Sequence, residues 1–350
     1  MSSIQLARKV WHTVRQTLGR HSKSLSVRNP VFEPILSAEE VVHYAESLGR
    51  VTGKTSQNLK QSEALRQGEQ SSRFMGAGLE YEESRPYQIG DEIRRINWRL
   101  MARTGQAYTK LFQEERQENW FIVVDHRASM RFGTRKRLKA TQAARVAGYY
   151  AWLAQQAGIP VAVGRLASGL QYSPIFEGKS CYSHVMEAIC KACPPLSTKE
   201  QALEPRFNDV LLSLTQRLQP GSRLLLISDF HDVDHKTTEI LTALQDQVAI
   251  KAVWVKDQVE DALPQVDGLQ LQSMVDGQFY PISSTKQRQS YQAWSKKYQQ
   301  QIQQTLQQAN AKLYGIYAHE DLNSLNQSLH SELLNQEHSE QTQISRGAHG

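Results

Sequence analysis

The chemistry of this sequence gathers at two aspartates that each end an apolar run. Trp120, Phe121, Ile122, Val123 and Val124 lead into Asp125, and the run Arg223 to Ser228 leads into Asp229. A buried strand that delivers a carboxylate to its own carboxyl end is where open α/β sheets form their binding sites. If the two strands are neighbours, Asp125 and Asp229 share one site. The second tip continues as ISDFHDVDH, so His231, Asp232, Asp234 and His235 crowd the same loop. Metal binding is one reading of that loop; a solvated turn that caps the next helix is the other.

Cys181, His184, Cys190 and Cys193 are zinc-type ligands. On one helix, however, Cys181 and Cys190 lie about 13 Å apart, which zinc–sulfur bonds of about 2.3 Å do not bridge. Buried structural thiols are the expectation, and the Cys190–Cys193 pair lacks the strand–helix context of a redox motif. The chain has no Gly-x-x-x-x-Gly-Lys-Ser/Thr loop and no Gly-x-Ser-x-Gly. It is therefore not itself a P-loop ATPase, and no motif places a serine nucleophile.

The elements that must position these residues follow from apolar spacing. Ser37 with Glu40 forms a capping box ahead of a helix whose apolar face is Val41, Val42, Tyr44, Ala45 and Leu48. After Asp125 the pattern predicts a helix over Arg137 to Ala157, strands at Ile159–Leu166 and Leu170–Phe176, then helices at Tyr182–Cys193 and Phe207–Leu218. Next come the strand ending at Asp229, a helix near Thr237–Leu244, a strand at Val248–Val255 and a hairpin around Asp276-Gly277. A Gln-rich helix (Lys286–Ala309), a strand (Lys312–Ala318) and a helix from Asp321 to Leu334 complete it, and the tail after Gln336 reads as disordered. This alternation predicts an α/β fold, a mainly parallel sheet flanked by helices.

Bulk properties narrow the function classes. The 350 residues carry 41 basic and 35 acidic side chains, mixed along most of the chain, for a net charge of +6. That is no concentrated basic stripe, and nucleic acid is not an expected partner. Three cysteines fit a reducing compartment. No run is apolar enough to span a bilayer. The first thirty residues are basic, with Ile4, Ala7, Trp11, Val14 and Leu18 at helical spacing. An amphipathic helix in peripheral contact with anionic lipid is one reading, and a self-packed terminal helix the other. The expected divisions are a basic arm (1–36), a helical and β-containing extension (37–118), the α/β domain (119–335) and a tail (336–350). The expected location is cytoplasmic, with a peripheral contact at the inner membrane as its variant.

A family pattern runs through the middle of the chain. Gly76-Ala77-Gly78, Glu80, Arg85-Pro86-Tyr87, Gly90-Asp91, Arg94-Arg95-Ile96-Asn97-Trp98, Ala102-Arg103 and Glu115-Arg116 resemble the signature of the domain-of-unknown-function-58 family. Asp125, Ser129, Met130 and Ile227-Ser228-Asp229-Phe230 continue the match. The resemblance implies a von Willebrand factor A-like, Rossmann-type fold and a MoxR-type AAA+ ATPase as partner, with client or envelope proteins as its targets. It implies no defined reaction, and the chain is expected to be a non-enzymatic interaction module.

The resemblance also implies a place for a metal. Metal-binding A domains hold a divalent ion through an Asp-x-Ser-x-Ser loop, a threonine and a further aspartate. Here Asp125, Ser129 and Asp229 match, Arg127 stands at the first serine, and Glu204 to Asp209 offers no threonine, with Thr198 placed too early. The expectation is that Arg127 replaces the ion, its guanidinium bridging toward Asp125 or Asp229. If Arg127 turns to solvent instead, a weak Mg²⁺ site survives at Asp125, Ser129 and Asp229. A metal-dependent enzyme using Asp125, Asp229 and the His231 cluster is the alternative function, and nucleic-acid binding through the basic arm the third. The signature residues Arg85, Tyr87, Gly90, Asp91, Arg94, Trp98, Arg103 and Arg116 read as a packed platform tied by charge-assisted hydrogen bonds, or as a docking surface.

Overall fold

A six-stranded sheet forms around the strand that ends in Asp125. The computed structural model describes residues 12–14, 34–52, 79–88, 91–114, 119–194, 196, 198–201, 203–273 and 278–332. The strands are β1 His12–Val14, β2 Leu79–Pro86, β3 Tyr108–Glu114, β4 Trp120–Asp125, β5 Val161–Leu166, β6 Leu170–Tyr172, β7 Arg223–Ser228, β8 Ala249–Lys256, β9 Gln270–Ser273, β10 Phe279–Pro281 and β11 Lys312–Tyr317. The helices are α1 Ala38–Thr52, α2 Trp98–Thr104, α3 Lys139–Ala157, α4 Cys181–Ile189, α5 Thr198–Gln201, α6 Phe207–Thr215, α7 His235–Gln245, α8 Gln258–Asp261, α9 Thr285–Gln308 and α10, residues 322–332.

The main sheet runs β11-β8-β7-β4-β5-β6, parallel throughout except for β6, which turns back on β5. All six residues of β4 are buried, as a strand covered on both faces requires. Phe121 and Val123 join Leu224, Leu226, Ile250 and Ala252 against Phe207, Leu211, Leu241 and Leu306, so α6, α7 and α9 cover one face. The opposite face carries α3, where the Trp120 and Tyr150 rings lie 6.1 Å apart. Gly158, at φ 74, ends α3 in the left-handed conformation that glycine takes without a Cβ penalty. The α/β, mainly parallel architecture expected from the sequence is the one observed. Because β4 leads first to β5 and later, through the crossover, to β7, the sheet reverses its winding between β4 and β7. That crevice is the topological switch point, where such sheets bind ligands.

The chain divides into two compact units, Met1–Ser56 with Glu118–Gly350, and Gln57–Gln117. Helix α1, grouped by sequence with the extension, belongs to the first. Its capping box forms as expected, Ser37 N donating to Glu40 Oε2 at 2.8 Å and Glu40 N to Ser37 Oγ at 3.2 Å. Tyr44 then donates to the Arg145 carbonyl at 2.8 Å, and Trp152 donates to Thr52 Oγ1 at 3.0 Å, which fix α1 to α3. A second, antiparallel sheet of this unit has the order β1-β9-β10. The expected hairpin is therefore present, with residues 274–277 outside the described set.

The strand expected over Leu170–Phe176 ends at Tyr172, with Phe176 kept only as an isolated bridge to Val161, and two further expectations change. His12–Val14 pairs with β9 as a strand, so no helix runs through Val14; the rest of the first 33 residues lies outside the described set. Partner hydrogen bonds on β9 outweigh the helical spacing there. Helix α4 stops at Ile189, with Cys190 as its cap, rather than running to Cys193. Arg131, donating to the Pro194 carbonyl at 2.8 Å, holds the extended exit.

Three helices meet at Gly148 of α3. A Cβ there would stand 2.8 Å from Met186 Sδ of α4 and 3.0 Å from Tyr44 Cε1 of α1. Glycine inside a helix ordinarily costs about 0.5–1 kcal/mol against alanine, so its use here reflects close packing. Gly148→Val should lower stability by about 1–3 kcal/mol through overpacking. A denaturant titration that shows the valine variant equal to or more stable than wild type would refute this packing account.

Candidate functional site at the strand tips

Asp125 is fully buried at the end of β4, and the hydrogen bonds to its carboxylate come from its own sequence neighbourhood and from β7. Arg127 N donates to Oδ1 at 2.9 Å and Ser228 Oγ donates to Oδ2 at 2.7 Å. The Arg127 side chain folds back over the carboxylate, Nη2 to Oδ2 at 2.8 Å and Nε to both oxygens at 3.1 Å. The outer edge of the same guanidinium faces Asp232, Nη1 to Oδ2 at 2.7 Å and Nη2 to Oδ1 at 2.9 Å. Nη1 also donates to the Pro205 carbonyl at 3.2 Å, and Phe207 lies beneath it, 5.8 Å from ring centroid to guanidinium carbon. Burial opposes the charge on Arg127, but Asp125 and Asp232 outweigh that cost and hold its pKa well above the ordinary arginine value.

Asp229 lies on the neighbouring tip and has a different cation. Lys139, the first residue of α3, places its fully buried ammonium 2.8 Å from Asp229 Oδ2 and 2.5 Å from Glu260 Oε1 of α8. Burial works against both charges. The Lys139 ammonium and then His231 nevertheless keep the Asp229 carboxyl well below the usual range, and Asp229 and Glu260 raise the lysine. On Glu260 burial wins, and its carboxyl is raised.

His231 connects the tips. Its Nδ1 is 3.0 Å from Asp229 Oδ1 and 3.0 Å from Ser129 Oγ, while its carbonyl accepts from the Tyr298 hydroxyl of α9. The chemistry open to this group is limited by that geometry. One ring nitrogen serves both the serine and the aspartate, whereas a nucleophilic triad needs the two nitrogens on opposite partners. Burial lowers the imidazole pKa, but Asp229 outweighs it and the net direction is upward.

Of the residues the sequence singled out, Asp125, Arg127, Ser129 and Asp229 come together. Arg127 pairs with Asp125 as expected, but its second partner is Asp232 rather than Asp229, because Lys139 already occupies Asp229. The ISDFHDVDH loop splits: His231 and Asp232 face the site, Asp234 caps α7 through Thr237 N at 3.1 Å, and His235 pairs on the surface with Glu239 at 3.2 Å. The Glu204–Asp209 loop does reach the site, by other atoms than a threonine. Glu204 accepts from Ala128 N at 3.0 Å and Phe207 N donates to Asp232 at 2.8 Å, while Asp209 is exposed. Cys181, Cys190 and Cys193 are free and buried, and burial pushes the Cys181 thiol up to about 11 and Cys190 to about 12. His184 is exposed against Phe176, so no zinc set assembles there.

Sequence reasoning missed Lys139 and Glu260, and named Ser228 only as part of the family match. A signal for Lys139 existed: the first turn of α3 carries no acidic residue and opens on a cation, against the helix dipole. A buried anion beyond the helix end accounts for it.

In the smaller unit, Asp91 is the hub. It accepts from Arg85 Nη2 at 2.6 Å, Gln88 N at 3.0 Å and Thr109 Oγ1 at 3.0 Å; the Gln88 bond, then those of Thr109 and Arg85, lower its carboxyl pKa. Tyr87 is half-buried, its N–H on the Ala107 carbonyl at 2.9 Å. Arg94, Trp98 and Arg103 are exposed. Gly90 and Arg116 lie outside the described residues.

Removing the guanidinium should leave a buried carboxylate unpaired. Arg127→Met is expected to cost about 3–5 kcal/mol in urea unfolding, and adding Asp125→Leu should recover much of it; a single-variant loss under about 1 kcal/mol would contradict the pairing. His231 yields a pH signature. Its raised folded pKa means its contribution is fully present below about pH 6.5 and fades as pH rises through the folded value. Asp229 and Asp232, both depressed, contribute above the ordinary carboxylate range and lose that contribution in acid. The stability gap between wild type and His231→Gln should therefore be widest in mildly acidic buffer and close toward alkaline pH. A gap that grows with pH would reverse the assignment.

Uncharacterized proteins of Mycobacterium bovis and Mycobacterium tuberculosis are 39% identical over 67 residues, 19% of this chain. The match spans only 21% of the length of those relatives. Among solved structures, BatB from Bacteroides thetaiotaomicron aligns over 61% of this chain and 98% of its own at 11% identity, with a TM-score of 0.39. A von Willebrand factor type A protein from Catenulispora acidiphila aligns over 43% of this chain and 35% of its own at 13% identity, with a TM-score of 0.30. The family described as protein of unknown function DUF58 matches residues 83–302, well over half of the sequence, and the chain belongs to it.

Proposed function

We propose that this chain is a non-enzymatic protein-interaction module that works with a MoxR-type AAA+ ATPase in assembling or activating client proteins. Its strand-tip site is, on this reading, a metal-ion-dependent adhesion site in which side-chain cations replace the ion. The observation that carries the reading is Arg127 lying between Asp125 and Asp232 with its charge neutralised on both sides. A hard divalent ion needs free carboxylate oxygens. Both Asp125 oxygens already accept from Arg127, and Asp229 is divided between Lys139 and His231. An ion entering there would also meet two fixed like charges, so Mg²⁺ does not fit these residues. The single-nitrogen link from Ser129 to Asp229 through His231 likewise supports a site that recognises rather than reacts.

Calorimetry with Mg²⁺ and Mn²⁺ should give no heat of binding at millimolar ion for wild type. Millimolar or tighter uptake that Asp125→Ala abolishes would overturn the substituted-site reading. A pull-down with the purified MoxR-type ATPase of the same genome should retain the ATPase in at least one of the ATP-loaded and nucleotide-free states. Retention in neither would remove the partnership.

A further inference from the structure

Among its described residues the smaller unit carries large side chains that their mutual packing leaves exposed. Asn97 caps α2, its side chain accepting from Leu100 N at 3.1 Å, and Gly105 closes it at φ 73. Behind this turn, Ile96 bridges Thr109 of β3, and Thr109 holds Asp91, itself clamped by Arg85. The scaffold is thus fixed, yet two of its large apolar side chains point to solvent: Ile93 is 65% exposed and Trp98 is 60% exposed. Arg94, Arg99 and Arg103 are exposed on the same turn and helix, and Arg99 and Arg103 share a helical face by their four-residue spacing. Among the described residues none of these three guanidinium groups has an ion-pair or hydrogen-bond partner.

We infer that this face is a docking site for an acidic segment of a partner protein, with Trp98 and Ile93 as apolar anchors and Arg94, Arg99 and Arg103 as carboxylate forks. Exposed tryptophan and arginine held on a rigid backbone are the residue types that dominate binding energy at protein interfaces. The exposed cations supply the charge complement: three arginines on the same short stretch of chain that carries Ile93 and Trp98. The chain as a whole mixes 41 basic with 35 acidic side chains and has no concentrated basic stripe, which disfavours a continuous polyanion such as a phosphate backbone and leaves a discrete acidic protein segment as the occupant. The inference rests on the interaction reading above only for the identity of the partner.

Two probes separate the two claims. The first is the purified MoxR-type ATPase of the same genome, the second a fluorescein-labelled peptide of alternating glutamate and leucine, both titrated with the full chain. Trp98→Ala and the pair Arg99→Glu with Arg103→Glu should each weaken binding by at least about tenfold without altering the circular dichroism spectrum, and added salt should weaken wild type. If the ATPase binds wild type and both variants equally, this surface is not the docking site, although the partnership stands. If the ATPase fails to bind but the acidic peptide binds through Trp98, the partnership falls and the acidic-segment site stands. Failure of both probes removes both. Tighter Trp98-dependent binding to single-stranded RNA or to phosphatidylglycerol vesicles than to the peptide would overturn the choice of an acidic protein segment.

Discussion

A carboxylate with no solvent access must be neutralised from within the protein, and that constraint organises the strand-tip face. Asp125 is fully buried because β4 is the central strand, covered on both sides up to its last residue. An unpaired charge in that position would cost several kcal/mol. Arg127 answers it from two residues away, and in doing so is itself buried to 2% exposure. A buried guanidinium that spends one edge on Asp125 needs a second acceptor for the other. Asp232, Pro205 and Phe207 are drawn onto it, so the loops after β4 and β7 and the loop before α6 converge on one side chain.

The turn after β7 carries the cost of this convergence. Phe230 has φ 53, a left-handed conformation that is rare for a bulky residue. It persists because Phe230 is fully buried, edge-on to Phe207 with ring centroids 5.6 Å apart, and because Ser228 Oγ accepts from its N–H at 3.0 Å. The same Ser228 hydroxyl donates to Asp125. One serine therefore joins the strained turn to the buried charge, which is how strain at a site comes to be held by its surroundings.

Much of this was legible in the sequence, for identifiable reasons. The strands ending in Asp125 and Asp229 announce themselves as apolar runs; their adjacency, conditional in the sequence, is supplied by the β4–β7 pairing. The Arg127–Asp125 pair was one of the two pairings expected once the family resemblance set Arg127 at the first serine of a metal loop. What sequence could not supply was three-dimensional choice among equals. Asp229 and Asp232 are both acidic and three residues apart, and only the placement of Lys139 at the opposite helix end decides which of them Arg127 receives. His12–Val14 shows the same limit: its spacing suits a helix, and the vacant edge of β9, some 260 residues away, decides otherwise. Cys190 and Cys193 likewise lay on a helix by pattern until Arg131 fixed the Pro194 exit.

On the reading proposed above, an arginine in the place of an ion also changes what such a face can do. A bound metal can leave a coordination position for a partner's carboxylate, so recognition occurs at the ion. A guanidinium enclosed by Asp125 and Asp232 has few donors left to offer, and the site's exposed edge consists of His231 and Asp232, at 25% and 22% side-chain exposure. With its cations neutralised internally, this face is no strong attractor for an acidic partner. Arg94, Arg99 and Arg103, exposed and without a neutralising partner among the described residues, lie instead on α2 and the turn before it in the smaller unit. Under the interaction reading, attraction of an acidic segment and the rigid strand-tip geometry are therefore separate tasks on separate units. On that reading the exposure of the signature residues Arg94, Trp98 and Arg103 and the closure of Asp125 and Arg127 belong to different tasks.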